Sequence, residues 1–452
     1  MSTDSLRIHI VGAGGAGMSA IAKVLVGIGH TVSGSDLRGG ATLDRLADFG
    51  IATHTGHRPE VAAAADLVVA SSAVPDHDPE VRAAREAGKQ VWGRPQLLEA
   101  ITKRIPSIGA TGTHGKTTTT ALLVASLRAT GAEPSFIVGG DIAELNTNGH
   151  FGSEELLVIE ADEAFRTFEH LRLEGLVVTN VEPEHLEHFG TEQDLLDSFV
   201  SVASSVDGPV VACADDSGSM EVVRRTDALS YGLSAEARYR IDDLESFQGG
   251  SRFVLHGPSL TQPVVVSMPG IHVAQNAAGA LALIAELGFD VTAASEGIAS
   301  FKGVGRRWEH RGTVAGVMLV DDYAHHPTEV AATLQAARGV VPGRVWAVFQ
   351  PHLYSRTERF QREFGRALSD ADVAVVTDIY GSREVPVPGV TGALVADSVR
   401  EHGGTVHYVP HKAELADFLA DRVGDGDLVL TMGAGDITLL PRELAARLAE
   451  RV

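Results

Sequence analysis

The stretch 108–120, which reads Ile-Gly-Ala-Thr-Gly-Thr-His-Gly-Lys-Thr-Thr-Thr-Thr, constrains the fold more than any other part of this chain. An apolar lead-in at 105–108 predicts the end of a buried strand, and the apolar periodicity of 121–127 predicts a helix. A strand, a glycine-rich turn that ends in Gly-Lys-Thr, and a helix are together typical of a P-loop, although Ala110 replaces its usual first glycine. The pattern predicts binding of a nucleoside triphosphate.

The chemistry of a P-loop assigns functions to its residues. Backbone N–H groups and the helix N-terminus hold the phosphates, Lys116 reaches the outer phosphates, and the Thr117 hydroxyl reaches Mg²⁺. We expect the Lys116 ammonium to be solvated when no nucleotide is bound. The alternative is a glycine-rich turn with an exposed lysine and no ligand. The predicted ATP-binding residues of the loop are Gly112, Thr113, His114, Gly115, Lys116, Thr117 and Thr118.

A second glycine loop lies near the N-terminus and reads Gly12-Ala-Gly14-Gly15-Ala-Gly17. It follows a predicted strand at 6–11 and opens a predicted helix at 18–27, and Asp36 ends the next predicted strand. G-x-G-x-x-G between a strand and a helix, with an acid about 20 residues further on, is typical of Rossmann-type nucleotide binding. The alternative is a strand-to-helix turn whose glycines serve packing alone.

Acidic and histidine side chains follow two further predicted strands, at 156–159 and 176–181. The first strand leads into Glu160-Ala-Asp162-Glu163, and the second leads into Glu182-Pro-Glu-His185. Because the carboxyl ends of parallel strands meet at one edge of a sheet, both groups are expected beside the P-loop. Glu160 and His185 are therefore candidate ligands for a hard cation, although a lone loop histidine is normally just solvated.

The rest of the chain alternates between predicted strands and helices, with polar clusters after two strands, at 321–327 and 350–357. The whole pattern predicts an α/β protein of three domains. We expect a Rossmann-like domain at 1–104, a central P-loop domain with a mixed or parallel sheet at 105–310, and a Rossmann-like domain at 311–452.

Composition excludes several classes of protein. The chain has 37 basic and 59 acidic residues, and this net charge of −22 argues against a nucleic-acid partner. Its single cysteine excludes an intramolecular disulfide and a cysteine-based metal cluster. No signal peptide or membrane span is evident in the sequence, so we expect a cytoplasmic protein without a membrane partner.

Six motifs together make the chain resemble the Mur ligase family. They are Gly-Thr-His-Gly-Lys-Thr, Glu-Ala-Asp-Glu, Thr-Asn-Val-Glu-Pro-Glu-His, Gly-Arg-Arg-Trp, Asp-Asp-Tyr-Ala-His-His-Pro-Thr-Glu-Val and Thr-Met-Gly-Ala-Gly-Asp. The resemblance implies a domain for a UDP-sugar, a central ATPase domain and a C-terminal domain that admits an amino acid and closes for catalysis. It also implies an ATP-dependent ligase of peptidoglycan synthesis, a monomer or homodimer, which joins L-alanine to the carboxylate of UDP-N-acetylmuramate through an acyl phosphate.

The resemblance further implies the site residues. Catalysis would depend on Lys116, Glu160, His185, His325 and Arg356. Two Mg²⁺ ions are implied, one held by Thr117 and Glu160 and one by His185. Outside the P-loop, ATP would contact Asn276, Arg307 and Asp322. The amino-acid and acyl side would be lined by Tyr323, His325, His352 and Arg356. The UDP-sugar would be held by Gly12, Gly14, Gly15, Gly17, Asp36 and Ser71.

Three departures from the family's usual motifs concern the substrates. Ala164-Phe165 replaces Ser-Asp in the expected muramoyl pocket, Val273 replaces an asparagine near the nucleotide, and Leu353 replaces an arginine of the third domain. Other functions therefore stay open. They are a related ligase that attaches a murein tripeptide, a nicotinamide oxidoreductase built on the first glycine loop, and a non-catalytic sugar-nucleotide binder.

Several family members hold the second Mg²⁺ with a carbamoylated lysine, but this sequence has no lysine between Lys116 and Lys302. A carbamate needs a free lysine amine, and Lys116 is assigned to phosphate. We therefore expect a rate of phosphate release that does not depend on dissolved CO₂. The enzyme would be assayed in CO₂-stripped buffer and again with bicarbonate restored at constant pH. A loss of rate that bicarbonate reverses would show that a lysine of another domain supplies the carbamate.

Overall fold

In the computed structural model, which describes residues 5–184, 186–382 and 384–450, the chain folds into three β-sheets covered by helices. The predicted α/β architecture with three sheet-containing domains is confirmed. By their packing, the residues form two compact units. One contains the residues up to Leu244, Arg252–Val266 and Val273–Lys302, and the other contains Glu245–Ser251, Ser267–His272 and the residues from Gly303 onward. The domain boundaries at 104 and 310 stay predictions.

The first sheet is parallel and lies at the start of the chain. Its strands are β1 (Arg7–Val11), β2 (Thr31–Asp36), β3 (Ala52–Thr55), β4 (Leu67–Ala70) and β5 (Gln90–Gly93). Its helices are α1 (Ala16–Ile28), α2 (Ala41–Asp48), α3 (Pro59–Ala64), α4 (Pro79–Glu86) and α5 (Arg94–Thr102). The strand order is β3-β2-β1-β4-β5. Because the order reverses between β1 and β4, the loops after these strands open a crevice at their carboxyl ends.

The second sheet contains the P-loop strand. Its strands are β6 (Ser107–Thr111), β7 (Ser135–Ile142), β8 (Thr147–His150), β9 (Leu157–Glu160), β10 (Gly175–Val178), β11 (Val210–Cys213), β12 (Leu229–Gly232), β13 (Tyr239–Phe247), β14 (Gly250–Gly257) and β15 (Leu260–Val266). Their order is β15-β14-β13-β12-β11-β10-β6-β9-β7-β8. The helices along this part are α6 (Lys116–Ala129), α7 (Leu186–Phe189), α8 (Glu192–Ser204), α9 (Ser217–Arg225), α10 (Ile271–Glu286) and α11 (Val291–Ser300), with a 3-10 helix at Ala164–His170.

The third sheet belongs to the second compact unit. Its strands are β16 (Glu309–Val314), β17 (Val317–Asp322), β18 (Val345–Phe349), β19 (Val373–Val376), β20 (Val406–Tyr408) and β21 (Leu428–Met432), in the order β16-β17-β21-β18-β19-β20. Its helices are α12 (Pro327–Ala337), α13 (Tyr354–Leu368), α14 (Ala393–Glu401), α15 (Leu415–Ala420) and α16 (Leu440–Ala449), with 3-10 helices at Lys412–Glu414 and Asp436–Leu439. Only β16 pairs antiparallel among the strand pairs described for this sheet.

Fewer residues separate the strand and the helix of the P-loop than the apolar pattern predicts, because the strand ends later and the helix begins earlier. β6 lies between β10 and β9, parallel to both, and it continues through Gly109 and Ala110 to Thr111. A Cβ on Gly109 would lie 3.0 Å from a carbonyl oxygen of β9, so a small residue is needed there. α6 begins already at Lys116, because the Thr119 N–H donates to the Gly115 carbonyl (2.9 Å) and closes the first turn. The hydroxyls of Thr119 and Thr120 also donate to carbonyls one turn earlier. Among the described helices, none combines the length and the apolar character needed to cross a bilayer.

Candidate active site

The loop between β6 and α6 passes so close to its neighbours that two of its residues must be glycine. Gly112 has φ +135°, and a Cβ there would lie 2.1 Å from the Thr179 hydroxyl oxygen. Gly115 has φ +80°, and a Cβ there would lie 3.0 Å from the side-chain oxygen of Asn276, a predicted ATP ligand on α10. This close packing fixes the loop in one conformation, which backbone N–H groups need if they are to hold an anion.

Polar residues after β10 hold the loop in place. The backbone N–H of His114 donates to Asn180 Oδ1 (2.8 Å), and the Thr179 hydroxyl donates to the His114 carbonyl. The N–H of Thr113 donates to the Asn180 carbonyl (3.1 Å). The sequence pattern does not predict Thr179 and Asn180 as site residues. Their signal is a polar pair directly after the apolar run of β10, which adjoins the P-loop strand.

The Lys116 side chain is only 13% exposed and forms an ion pair, so the expectation of a solvated lysine is wrong. Its Nζ donates to the carbonyls of Gly112 (2.7 Å) and Thr113 (3.2 Å) and to Oε1 of Glu163 (2.9 Å). Glu163, only 1% exposed, reaches this position from just beyond the tip of β9. Burial disfavours the ammonium, but the carboxylates of Glu163 and Asp162 outweigh it and raise the pKa of Lys116. The lysine is therefore charged and held at the loop before any phosphate arrives.

A hydroxyl and a carboxylate lie together at the start of α6. The Thr117 hydroxyl donates to Glu160 Oε1 (3.1 Å), and the backbone N–H of Gly139 donates to Glu160 Oε2 (2.7 Å). Mg²⁺ is typically bound through one or two protein oxygens together with phosphates and water. The residues at this position therefore fit a magnesium ion. His185, the predicted ligand of a second ion, lies outside the described residues.

The first glycine loop forms one wall of a cavity of about 220 Å³. The predicted sugar-nucleotide residues that line this cavity are Gly12, Gly15, Asp36 and Ser71. Gly12 has φ +82°, and a Cβ there would lie 2.9 Å from the Ser71 Cβ, so the loops after β1 and β4 touch. The other two glycines predicted to hold the UDP-sugar each lie against a charged side chain. Gly14 lies against Asp36, and Gly17 lies against Arg94.

Gly14→Val is expected to raise the KM for the UDP-sugar by roughly tenfold or more, the equivalent of one lost hydrogen bond to a charged group. The Gly14 N–H donates to Asp36 Oδ2 (3.0 Å), and a Cβ on Gly14 would lie 2.8 Å from the same oxygen. The new side chain must displace this carboxylate and open the turn that it closes. Steady-state kinetics with each substrate varied should show an unchanged KM for ATP.

The matched control for this variant is Gly40→Val, because a Cβ on Gly40 meets nothing within 4 Å. It should change neither KM. Equal effects of the two variants would contradict the assignment of the loop to UDP. Binding of reduced nicotinamide by the unaltered protein, detected by fluorescence, would contradict it as well.

In the second compact unit, the polar clusters that follow β17 and β18 meet. The ring of His325 lies against the rings of Tyr323 (centroids 5.0 Å apart) and His352 (5.9 Å). Arg356 Nη1 lies 3.5 Å from His352 Nδ1, and the His352 ring stacks on Tyr380 (6.0 Å). The structure thus brings together the four residues predicted for the amino-acid and acyl side. The sequence pattern does not predict Tyr380, whose signal is its position after β19 of the same sheet.

Glu329 connects two of the predicted residues. Its carboxylate lies 3.2 Å from His325 Nδ1 and 3.6 Å from the guanidinium of Arg307. The same guanidinium lies over the Tyr323 ring, 5.0 Å from its centroid. Glu329 is not among the predicted site residues, although its spacing of four residues from His325 is the signal of such a pair. Nδ1 of His325 also lies 2.9 Å from the Tyr323 carbonyl oxygen, so both of its neighbours are acceptors. The proton of a neutral imidazole therefore belongs on Nδ1, and Nε2 is the acceptor nitrogen.

Asp322, a predicted ATP ligand, is fixed by backbone donors at the end of β17. Its carboxylate accepts hydrogen bonds from the N–H groups of Trp308 (2.7 Å) and Ala324 (2.8 Å). Burial raises the pKa of Asp322 to about 6, although the Arg307 charge and these hydrogen bonds oppose the shift. Asp322 and Arg307, two predicted ATP ligands, therefore interact electrostatically within this unit. The third, Asn276, belongs to the other unit.

The three departures from the family's motifs lie at these places in the fold. Phe165 has φ +55°, is 40% exposed, and places its ring 4.6 Å from the His188 ring. Val273 is buried in α10. Leu353, with φ +69°, immediately precedes α13 and donates its N–H to the Tyr380 carbonyl. None of them interrupts the contacts of Lys116 described here.

Three stretches of the chain match sequence models of protein families. Residues 7–105 match the catalytic domain of the Mur ligase family, 110–284 match the Mur ligase middle domain, and 306–435 match the Mur ligase glutamate ligase domain. A UDP-N-acetylmuramate–L-alanine ligase from Kineococcus radiotolerans is 44% identical over 98% of this chain and 97% of its own length. A ligase of the same name from Cutibacterium acnes is 43% identical over 96% of this chain and 94% of its own.

Solved structures agree with these matches. The crystal structure of a UDP-N-acetylmuramate–alanine ligase from Thermotoga maritima is 28% identical, has a TM-score of 0.85, and covers 99% of this chain and 100% of its own. A murein peptide ligase from Psychrobacter arcticus shares the fold at 22% identity and a TM-score of 0.72, over 99% of this chain and 100% of its own. The resemblance carried by the six motifs is thereby confirmed, and the chain belongs to the Mur ligase family of ATP-dependent ligases.

Proposed function

We propose that this chain joins L-alanine to the carboxylate of UDP-N-acetylmuramate at the expense of ATP, a step of peptidoglycan precursor synthesis. Relatives named for this activity match it over nearly its whole length. The observation that carries the proposal is the P-loop, where a charged, largely shielded Lys116 lies next to the Thr117–Glu160 pair. A site that activates a carboxylate with ATP needs such a cation and such a magnesium position at the outer phosphates.

A carboxylate is a poor electrophile, so it must be activated before an amine can attack it. We infer that the terminal phosphoryl group of ATP passes to a carboxylate oxygen and leaves ADP, and that the amine of L-alanine then attacks the acyl carbon and releases phosphate. The loop's N–H groups and the start of α6 hold the phosphates, and Lys116 neutralises charge on the transferred group. Thr117 and Glu160 would hold Mg²⁺, which supplies further neutralisation of phosphate charge. A second ion at His185 stays a prediction.

The second unit supplies groups that suit an amino acid. We assign Arg356 to the carboxylate of L-alanine, since a guanidinium binds a carboxylate through two parallel hydrogen bonds. His325, oriented by Glu329, is assigned to the amine, whose proton a neutral imidazole can accept. Tyr323 and His352 complete this side. Asn276, Arg307 and Asp322 are assigned to ATP, and the cavity at the first glycine loop is assigned to the UDP moiety.

Phosphate release tests the proposal and separates it from the alternatives. ATP, Mg²⁺, UDP-N-acetylmuramate and L-alanine are supplied together and then each is omitted in turn. Release that requires all four components supports the proposal. Faster release with a murein tripeptide in place of L-alanine identifies the related ligase instead, and binding of UDP-N-acetylmuramate without any release identifies a non-catalytic binder. The cytoplasmic location and the monomeric or homodimeric state stay predictions.

A further inference from the structure

Arg94, the first residue of α5, places its guanidinium directly against the first glycine loop. A Cβ built on Gly17 would lie 3.2 Å from Arg94 Cζ and 3.4 Å from its Nη2. Gly17, the last glycine of the loop, therefore leaves room for a cationic side chain from a neighbouring element. Both residues belong to the first compact unit.

The Arg94 guanidinium has N–H donors that are available to bind an anionic ligand. Its Nη1 lies 3.6 Å from Asp162 Oδ2, well beyond the 2.7–2.9 Å of a charge-assisted hydrogen bond. Its Nε is buried and has no hydrogen-bond partner within the described part of the chain. A guanidinium offers five N–H donors, and the Arg94 side chain remains 21% exposed. Asp162 thus positions this cation without satisfying it.

The neighbouring helix end adds to the positive charge. α1 has Gly15 as its N-cap, and its first turn contains no acidic residue. The N-terminus of a helix carries roughly half a positive charge and exposed N–H groups, which favour a phosphate. Arg94 adds a full charge at the same loop, in a chain whose net charge is −22. A doubly or triply charged ligand at this place needs such a local cation.

We propose that Arg94 is a substrate-binding residue that pairs with the diphosphate of the sugar nucleotide. The proposal rests on the proposed function, because it takes the first glycine loop as the UDP site. Asp162 holds the guanidinium in position, and the diphosphate supplies the short, charge-assisted hydrogen bonds that this carboxylate does not. Asp162 adjoins Glu163, the partner of Lys116. Arg94 therefore lies between the first glycine loop and the acidic residues that follow β9.

The test is the affinity of the full-length protein for UDP, measured by titration calorimetry. Arg94→Gln should raise the Kd for UDP roughly ten- to hundredfold, the loss expected for one charge-assisted contact. Arg94→Lys should recover part of the affinity, because it restores the charge without the planar fork. Arg82→Gln is the matched control, since Arg82 on α4 is 66% exposed and pairs only loosely with Glu86 (3.6 Å). It should leave the Kd unchanged.

Two results would overturn the proposal. One is an unchanged Kd for UDP in Arg94→Gln; if the KM for UDP-N-acetylmuramate is raised at the same time, Arg94 is assigned to the muramoyl carboxylate instead. The other is a parallel loss of ATP affinity and of the thermal unfolding temperature, which would show a structural role. Failure of the unaltered protein to bind UDP would instead refute the UDP assignment of the loop itself.

Discussion

Lys116→Ala is expected to reduce phosphate release by a factor on the order of 10³ or more, the scale on which a single cation acts on a transferred phosphoryl group. The lysine is held at the loop by the carbonyls of Gly112 and Thr113, and it is charged before nucleotide arrives. No other group described at the loop supplies that charge to the phosphates. The measurement is single-turnover phosphate release at saturating ATP. Lys302→Ala, which removes an exposed lysine, is the matched control and should keep the full rate.

The same substitution is expected to destabilise the fold, because Lys116 is the ion-pair partner of a buried carboxylate. The two side chains lie 2.8 Å apart, and they are 13% and 2% exposed. Removing one member of a buried pair typically costs about 3–5 kcal/mol, because the remaining charge is left uncompensated. Burial raises the pKa of Glu163, so this carboxyl can take up a proton and recover part of the loss.

A double variant separates the two effects. In Lys116→Ala/Glu163→Gln neither charge of the pair remains, so the free energy of unfolding should return most of the way to that of the unaltered protein. Phosphate release should stay abolished, because the phosphates still lack their cation. Recovery of the rate together with stability would show that Lys116 serves the fold alone. Undiminished turnover in the single variant would refute the ATPase assignment.

Local pattern predicts much of this fold. An example is α12 (Pro327–Ala337), because a proline in the first turn and a 3.6-residue apolar period are both local signals of a helix. The P-loop is likewise predicted, since Gly-Lys-Thr and its flanking strand and helix are contiguous. The polar clusters after β17 and β18 are predicted as well. Their side chains lie close together because the carboxyl ends of parallel strands share one edge of the sheet.

Contacts between distant positions are what the sequence does not predict. The Lys116–Glu163 pair joins residues 47 positions apart, and the Asn180 bond to the P-loop spans 66. Lysine side chains are mostly exposed in proteins, so the sequence gives no reason to expect a shielded Lys116. The shielding follows only from the position of the end of β9 beside β6. Arg94 shows the same limit, because nothing near it in the sequence indicates that Gly17 makes room for its guanidinium.

Glu160→Gln is expected to cost about 10²- to 10³-fold in the rate at standard Mg²⁺, and to raise the Mg²⁺ concentration for half-maximal rate by at least roughly tenfold. The change is nearly isosteric, and the glutamine oxygen can still accept from the Gly139 N–H or from the Thr117 hydroxyl. What is lost is the negative charge beside the phosphate-binding loop. Mg²⁺ binds carboxylates far better than amides, so the effect should fall on the metal and not on the fold.

The matched control is Glu155→Gln, which removes an exposed carboxylate just before β9, whereas Glu160 ends that strand. Its Mg²⁺ dependence should equal that of the unaltered protein. The assay titrates Mg²⁺ at fixed ATP and records phosphate release, and thermal unfolding without nucleotide checks that both variants are equally stable. If excess Mg²⁺ restores most of the rate to Glu160→Gln, the carboxylate acts by holding the ion. If the rate is low and the Mg²⁺ dependence is unchanged, Glu160 acts through Thr117 and the start of α6, and the magnesium assignment is wrong.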